Sequence, residues 1–258
     1  MISMLRLFGA VCPESFGLDF RLVGRFHRRG PSLQRGPLWC GNGFQMDGST
    51  SNAAYISGVN ERAYMRLLAS LIRPRQVVYN VGANVGYLAL WLASRFSRSG
   101  GLEIVGFEPD PKTAALMAIN VSLNPRVNVR TEQIGLGHQD EMAKLYSIGA
   151  GDGAASLAPR FDQPGMAHVQ VRIVKLDTYQ ATAPRTPHWL VIDVEGFGGE
   201  VIKGGIRTIS THRPQIAAEI HSTKERAEIA EIVEPMGYVV RQQLNGLWGN
   251  HVIWTQEG

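Results

Sequence analysis

Two short apolar runs end in ionisable pairs at matching positions. "WLVIDVE" (residues 189–195) closes with Asp193 and Glu195, and "QIAAEIH" (215–221) closes with Glu219 and His221 at the same spacing of two. If each strand continues through its pair, a period of two puts both members on one face. Carboxylates and an imidazole gathered in this way can take a proton from a bound group or orient its hydroxyl, which makes Asp193, Glu195 and His221 the catalytic candidates. A divalent metal shared by the four is chemically allowed, but the oxygen ligands are few and the spacing generic, so no metal is expected. The structural alternatives are a helix N-cap for Asp193 and a satisfied strand-end group for His221. A charge at the end of a buried run is costly without a purpose, which favours function for Asp193.

A second constellation lies upstream. "VVYNVGANVGYLALWLA" (77–93) runs from β-branched residues through a glycine turn into a helix-like apolar segment. No Gly-Lys-Ser/Thr follows the turn, which excludes a phosphate loop. The dinucleotide fingerprint needs glycine at its first, third and sixth positions, and from Gly82 these are Gly82, Asn84 and Tyr87. The turn is Gly82-Ala83-Asn84-Val85-Gly86, with the amide Asn80 two residues before it. In "VGFEPD", Glu108 ends the next strand, where an acid can accept hydrogen bonds from both hydroxyls of a ribose. A ribose binder without a phosphate cradle points to S-adenosylmethionine, a nucleoside that carries an amino acid. Asn80, Asn84, the turn amides and the following helix N-terminus are suited to its amino-acid end.

The elements that must position these groups alternate. "ERAYMRLLASLI" has helical spacing; "VVYNV", "EIVGFEP" and "VNVRTEQIGL" read as strands, with helices "VGYLALWLASRF" and "KTAALMAINVSLN" after the first two. "AKLYSI" and "VQVRIVKL" alternate as strands around the glycine-rich "GAGDGAAS" and read as an inserted excursion. "HWLVIDVEG" is a buried strand, with a helix expected from Glu200 to Ile209. "PQIAAEIH" is a strand and "KERAEIAEIVEPMG" its helix, and "YVVRQQ" and "HVIWTQ" close the chain as an antiparallel pair. Repeated βα units with a terminal hairpin imply an α/β fold, a mostly parallel sheet with helices on both faces. Trp91 and Trp189 read as core residues, an aromatic cage around a sulfonium being the sharper alternative.

Composition bounds the rest. The 258 residues, 44% hydrophobic, suit one large domain with an extension. Residues 1–50 read as a basic arm and 51–258 as the domain. Residues 1–40 hold six arginines against Glu14 and Asp19, while the remaining chain is balanced. The arm could meet an anionic surface, but composition favours a solvated extension. Basic clusters do not accompany the aromatic or ionisable positions, so no nucleic-acid partner is expected. Cys12 and Cys40 form neither a disulfide framework nor a zinc pattern. The first residues are too short and interrupted an apolar stretch for a signal peptide, and no run of about 18 apolar residues occurs. A soluble cytoplasmic protein without a membrane span is expected. The oligomeric state stays open, with a homodimer among the options.

Taken together, "VYNVGANVGYLALWLA", "VGFEPDPKTAALMAINVSLN", "EQIGLGHQDEMAKLYS", "VKLDTY", "VIDVEGFGGEVIKGG" and "QIAAEIH" resemble the FkbM-type methyltransferase family from about residue 60 to the end. The resemblance implies a class I methyltransferase (Rossmann-like) fold with a seven-stranded sheet, and S-adenosylmethionine as methyl donor. It implies a small-molecule acceptor, commonly a hydroxyl of a sugar, polyketide or related metabolite. By the same resemblance the Gly82–Gly86 turn holds the methionine end, Glu108 the ribose, and Gln133 and Ile134 border the adenine. It also implies that the Asp193 and Glu219 strands lie side by side. Two positions depart from the family pattern: Asn80 stands where aspartate is usual, and Gly198 replaces the second acid of "EGxE". The competing readings are a non-catalytic binding relative and, from another enzyme class, an NAD-dependent oxidoreductase.

Overall fold

A computed structural model of the chain describes residues 37–39, 43–48, 61–146, 168–246 and 249–256, all in the unit Arg35–Gly258. The arginine-rich arm, both cysteines and the 149–156 loop lie outside the described residues. Strands β1 (Pro37–Trp39) and β2 (Gln45–Asp47) pair antiparallel. Then come α1 (Arg62–Leu71), β3 (Val77–Val81), α2 (Tyr87–Phe96), β4 (Glu103–Phe107), α3 (Pro111–Ser122) and β5 (Asn128–Glu132). An excursion through β6 (Gly135–Leu136), β7 (Glu141–Tyr146) and β8 (His168–Val174) leads to α4 (Leu176–Gln180) and β9 (Trp189–Ile192). The chain closes through α5 (Gly198–Lys203), α6 (Ile206–His212), β10 (Gln215–Glu219), α7 (Thr223–Val233), β11 (Tyr238–Gly246) and β12 (Gly249–Gln256).

Seven strands form one sheet in the order β11-β12-β10-β9-β3-β4-β5. The five from β10 to β5 are mutually parallel; β12 runs antiparallel to β10, and β11 antiparallel to β12. This is the expected α/β architecture with its terminal hairpin. The sequence steps outward from β3 through β4 to β5 on one side, and through β9 to β10 on the other. Strand β3 is buried at all its positions, as a strand covered on both faces must be. Alternation sorts the two faces. Val78, Val191, Ala217 and Ile253 pack with Tyr64, Met65 and Leu68 of α1, Leu90 of α2 and Met117 of α3. Tyr79, Val81, Leu190 and Ile192 pack on the other side with Val201, Ile202, Ile209, Ile229 and Val233 of α5 to α7.

Three local expectations are corrected. The run 127–136 is not one strand: β5 ends at Glu132, and β6 joins a separate sheet of order β6-β8-β7, leaving Gln133 and Ile134 between them. The helix expected from Glu200 to Ile209 is two helices, broken at Gly204–Gly205. A side chain at Gly204 would overlap the Gly137 carbonyl, and one at Gly205 would come within 2.6 Å of Leu176. The Gly204 carbonyl also accepts the Asp177 N–H at 3.0 Å. Close packing onto the excursion therefore interrupts a sequence that is helical on both sides. Finally, part of the segment read as an arm packs into the domain. Phe44 and Met46 are buried, and Asp47 N–H donates to Asn120 Oδ1 at 2.7 Å. Gln45 N–H donates to Asn124 Oδ1 at 2.9 Å, and Asn124 Nδ2 returns a bond to the Gln45 carbonyl at 2.7 Å.

Candidate active site

Strand β3 has β4 on one side and β9 on the other, and nearly every residue expected to bind or react follows the carboxyl end of one of these strands or their neighbours. Such a point, where the direction of strand order reverses, is where open α/β sheets bind ligands. The glycine turn leaves β3 here. Gly82 has φ +80°, and a side chain at it would overlap the Asp193 carbonyl oxygen, so the turn and the end of β9 touch backbone to backbone. Asn84 also lies in the left-handed region at φ +50°, which asparagine tolerates.

The turn's amides are already paired. Gly82 and Ala83 N–H donate to the Phe107 carbonyl at 3.0 and 2.9 Å, and Gly86 N–H to the Ala83 carbonyl at 2.9 Å. Asn84 N–H donates to Glu108 Oε2 at 2.9 Å, and Val85 N–H to Asn84 Oδ1 at 2.7 Å. The expectation that these amides meet a donor's amino-acid end is therefore corrected: the turn knits β3 to β4. Asn80, within β3, is 2% exposed, and its Oδ1 has no hydrogen-bond partner among the described residues. A buried acceptor without a donor is costly, and a ligand ammonium would relieve it.

Glu108 follows β4 and is 7% exposed. One oxygen accepts from Asn84 N–H, the other from Asp110 N–H at 3.0 Å, which fixes the plane of the carboxylate and leaves each oxygen a lone pair. Burial pushes the Glu108 carboxyl up to about 7, against these two N–H groups. Asp110 itself caps α3 through Thr113 N–H at 2.7 Å. The Glu108 N–H donates to the Glu132 carbonyl at 3.0 Å. Gln133, exposed, and Ile134, half-buried, thus follow on the neighbouring strand end.

The second constellation assembles on the other side of the turn. His221 Nε2 lies 3.9 Å from Asp193 Oδ1, 3.4 Å from Glu195 Oε2 and 3.8 Å from Glu219 Oε1. All four expected residues come together, but not all by the expected route. Strand β9 ends at Ile192, and Glu195 reaches His221 through a turn with φ +52°, not along a continuing strand. Burial and the Glu219 carboxylate beside it push the Asp193 carboxyl well above the usual carboxylate range. Burial opposes the charge on His221, but the carboxylates of Glu225, Glu195, Asp193 and Glu219 outweigh it and lift the imidazole to about 9. Near neutral pH His221 is therefore a held imidazolium, and Asp193, beside it, holds a proton more readily than an ordinary carboxylate.

Three further residues complete the cluster. Glu225 is 2% exposed; its carboxylate accepts Gly198 N–H at 2.9 Å and His221 N–H at 2.8 Å and lies 3.7 Å from His221 Nδ1. Its signal was present in "HSTKE", where Ser222 and Glu225 form the S-x-x-E pattern of a capping box. Ser222 Oγ does accept Glu225 N–H at 3.1 Å. Glu225 also fills the space beside Gly198, where an added Cβ would lie 2.8 Å from its Oε1. His251 Nε2 lies 3.5 Å from Glu219 Oε2, and Tyr64 stacks on the His251 ring at 3.7 Å. Trp189 stands at the opposite end of the sheet, its indole N–H donating to Gln76 Oε1 at 3.1 Å. Trp91 packs in the core at the edge of a surface cavity of about 360 Å³ lined by Arg62, Arg66 and Arg95. Both tryptophans match the core reading.

No helix among the described residues is long and apolar enough to cross a membrane. No curated protein matches the chain significantly. In fold the chain is similar to the methyltransferase FkbM of Methylobacillus flagellatus KT, with a TM-score of 0.50 and 18% identity over 72% of this chain and 45% of that one. It thus spans less than half of that protein's length. The magnesium protoporphyrin IX methyltransferase of Synechocystis PCC 6803, solved with bound S-adenosylmethionine, aligns with a TM-score of 0.48 and 11% identity, covering 94% of this chain and 100% of that one. A family model for the methyltransferase FkbM domain matches residues 80–240, more than half of the chain. With its sheet order and parallel centre, the fold is that of class I methyltransferases, and the chain belongs to the FkbM methyltransferase domain family.

Proposed function

We propose that the protein transfers the methyl group of S-adenosylmethionine to a hydroxyl of a small molecule such as a sugar, polyketide or related metabolite. The observation that carries this reading is the contact between the Gly82 turn and the Asp193 backbone. It supports the reading because it brings the turn and Glu108, which would bind the nucleoside, against a cluster able to handle a hydroxyl proton. In the proposed complex Glu108 accepts the two ribose hydroxyls, and Gln133 and Ile134 border the adenine. Asn80 Oδ1 takes the ammonium, and the turn through Gly86 with Asn84 shapes the methionine end.

Methyl transfer is an in-line displacement that needs alignment of nucleophile and methyl, and removal of the hydroxyl proton. Asp193 suits the second task, with Glu195 as its neighbour. His221, charged and anchored through Glu225, orients the hydroxyl and balances the carboxylates. The test is incubation with methyl-labelled S-adenosylmethionine and a panel of sugars, polyketides and lipids, read by mass spectrometry. One labelled methyl on a hydroxyl is the expected product. Donor binding with no labelled product from any acceptor class would favour the non-catalytic relative.

A further inference from the structure

We propose that Asp193, Glu219 and His221 bind one first-row divalent cation of the manganese type beside the glycine turn. For its purpose the site rests on the methyl-transfer reading; for its existence it rests on geometry alone. One ligand atom from each residue can be chosen so that all three lie within 4.8 Å of one another. His221 Nε2 is 3.9 Å from Asp193 Oδ1 and 3.8 Å from Glu219 Oε1. Ligands at about 2.1–2.2 Å from a shared ion stand roughly 3–4 Å apart, so side-chain adjustments of under about 1 Å would close the set.

An independent feature points at the same spot. The Tyr64 side chain is 4% exposed, and its hydroxyl has no hydrogen-bond partner among the described residues. The strand register sets the Tyr64 ring beside the cluster. Val191, Ala217 and Ile253 lie on the face that α1 covers, and Asp193, Glu219 and His251 follow the same alternation. The stack of Tyr64 on His251, itself against Glu219, fixes the ring there. A water held by a cation would give the buried hydroxyl a partner.

Two of the three candidate ligands also have the outer support that metal sites use. The other nitrogen of His221 faces Glu225 Oε2 at 3.7 Å, and Glu225 is itself pinned by Gly198 N–H. The other oxygen of Glu219 faces His251 at 3.5 Å. Carboxylates outnumber imidazoles in the cluster, so a doubly charged ion balances it. A mixed set of one imidazole and two carboxylates selects a first-row ion over calcium or magnesium, which prefer oxygen alone. The ion displaces the Nε2 proton of His221 and occupies Asp193, so a hydroxyl bound to it would give up its proton more readily to Glu195, which in the loaded site takes the role that Asp193 has without the ion. The C–O bond would then form as the S–CH₃ bond breaks, with the bonding pair staying on sulfur to leave neutral S-adenosylhomocysteine.

The test is titration of Mn²⁺ into the chelator-treated full chain, with free Mn²⁺ followed by electron paramagnetic resonance. One ion per chain is expected, with Asp193→Asn and Glu219→Gln each weakening it about 30-fold or more. Tyr64→Phe keeps the ligand set and should weaken it only a few-fold. S-adenosylhomocysteine binding within a few-fold of the parent shows that each variant is folded. Failure of the parent to bind Mn²⁺ at millimolar concentration, or binding that survives Glu219→Gln unchanged, overturns the site. Mn²⁺ binding without any S-adenosylhomocysteine binding would support the site and overturn the donor reading, so the two failures are separable.

Discussion

Glu108 carries a cost in the ligand-free protein that a bound ribose would relieve. It is 7% exposed, and burial lifts its carboxyl from 4.5 to about 7 although Asp110 and Asn84 N–H groups favour the ionised form. Because the folded value is the higher one, the native state holds the proton more tightly than the unfolded chain does. That stability is complete below about pH 4.5 and is lost as the pH rises through about 7. The displacement corresponds to about 3 kcal/mol, most of it expressed between pH 5 and pH 8. Other groups titrate in the same range, so the readout is a difference: urea unfolding of the parent and of Glu108→Gln at both pH values. The amide cannot ionise, and its poor contact with one of the two N–H groups is the same at every pH. Parent stability minus variant stability should therefore fall by about 2–3 kcal/mol from pH 5 to pH 8. The ligand should follow the same group. The ionised fraction rises from about a tenth at pH 6 to about nine tenths at pH 8, so S-adenosylhomocysteine should bind roughly tenfold tighter at pH 8. In the variant binding should be pH-independent over this range and weaker by roughly 30- to 1,000-fold, the loss of two charge-assisted hydrogen bonds after compensation by water. Parallel stability profiles, or unchanged affinity in the variant, would refute the assignment of Glu108 as a strained, ribose-binding acid.

Asp193→Asn should lower turnover about 10²–10⁴-fold and leave S-adenosylhomocysteine affinity within a few-fold, since a proton acceptor acts mainly in the transition state; near-parental turnover on the true acceptor would place the base elsewhere. Asn80→Asp should leave affinity for S-adenosylhomocysteine intact or tighten it by up to about tenfold, a charge-assisted hydrogen bond to the ammonium replacing a neutral one. Weaker binding in calorimetry would mean that Asn80 does not face the ammonium. Glu225→Gln should lower the His221 pKa from about 9 by about one unit or more, measured by NMR titration of the imidazole. An unmoved titration would show that Glu225 only packs against Gly198.

Elements whose signal is local were legible in the sequence. The runs VVYNV and WLVI are strands because a parallel centre demands near-continuous apolar residues, and both were placed correctly with the terminal hairpin. The Gly82 turn and Glu108 were legible for the same reason: strand, turn and helix follow one another within a few residues. What escaped depends on contacts distant in sequence. The break at Gly204–Gly205 exists because Gly137 and Leu176 pack there. The commitment of the Gly82 and Ala83 amides depends on the Phe107 carbonyl, which only pairing of β3 with β4 brings near. Tyr64 and His251 come from a helix and a strand far apart in the chain, and meet Glu219 only once the sheet order is known. Glu225 was the exception, since its S-x-x-E signal was local and available.

The central claim is that the Gly82 turn and Glu108 bind an S-adenosyl nucleoside and not a dinucleotide. Isothermal titration of S-adenosylhomocysteine and of NAD into the same preparation at pH 8 tests it most directly. Saturable one-to-one binding of S-adenosylhomocysteine is predicted, with no detectable heat from NAD and with the binding sharply weakened in Glu108→Gln. NAD binding as tight as that of S-adenosylhomocysteine, or no binding of S-adenosylhomocysteine at all, would contradict the account.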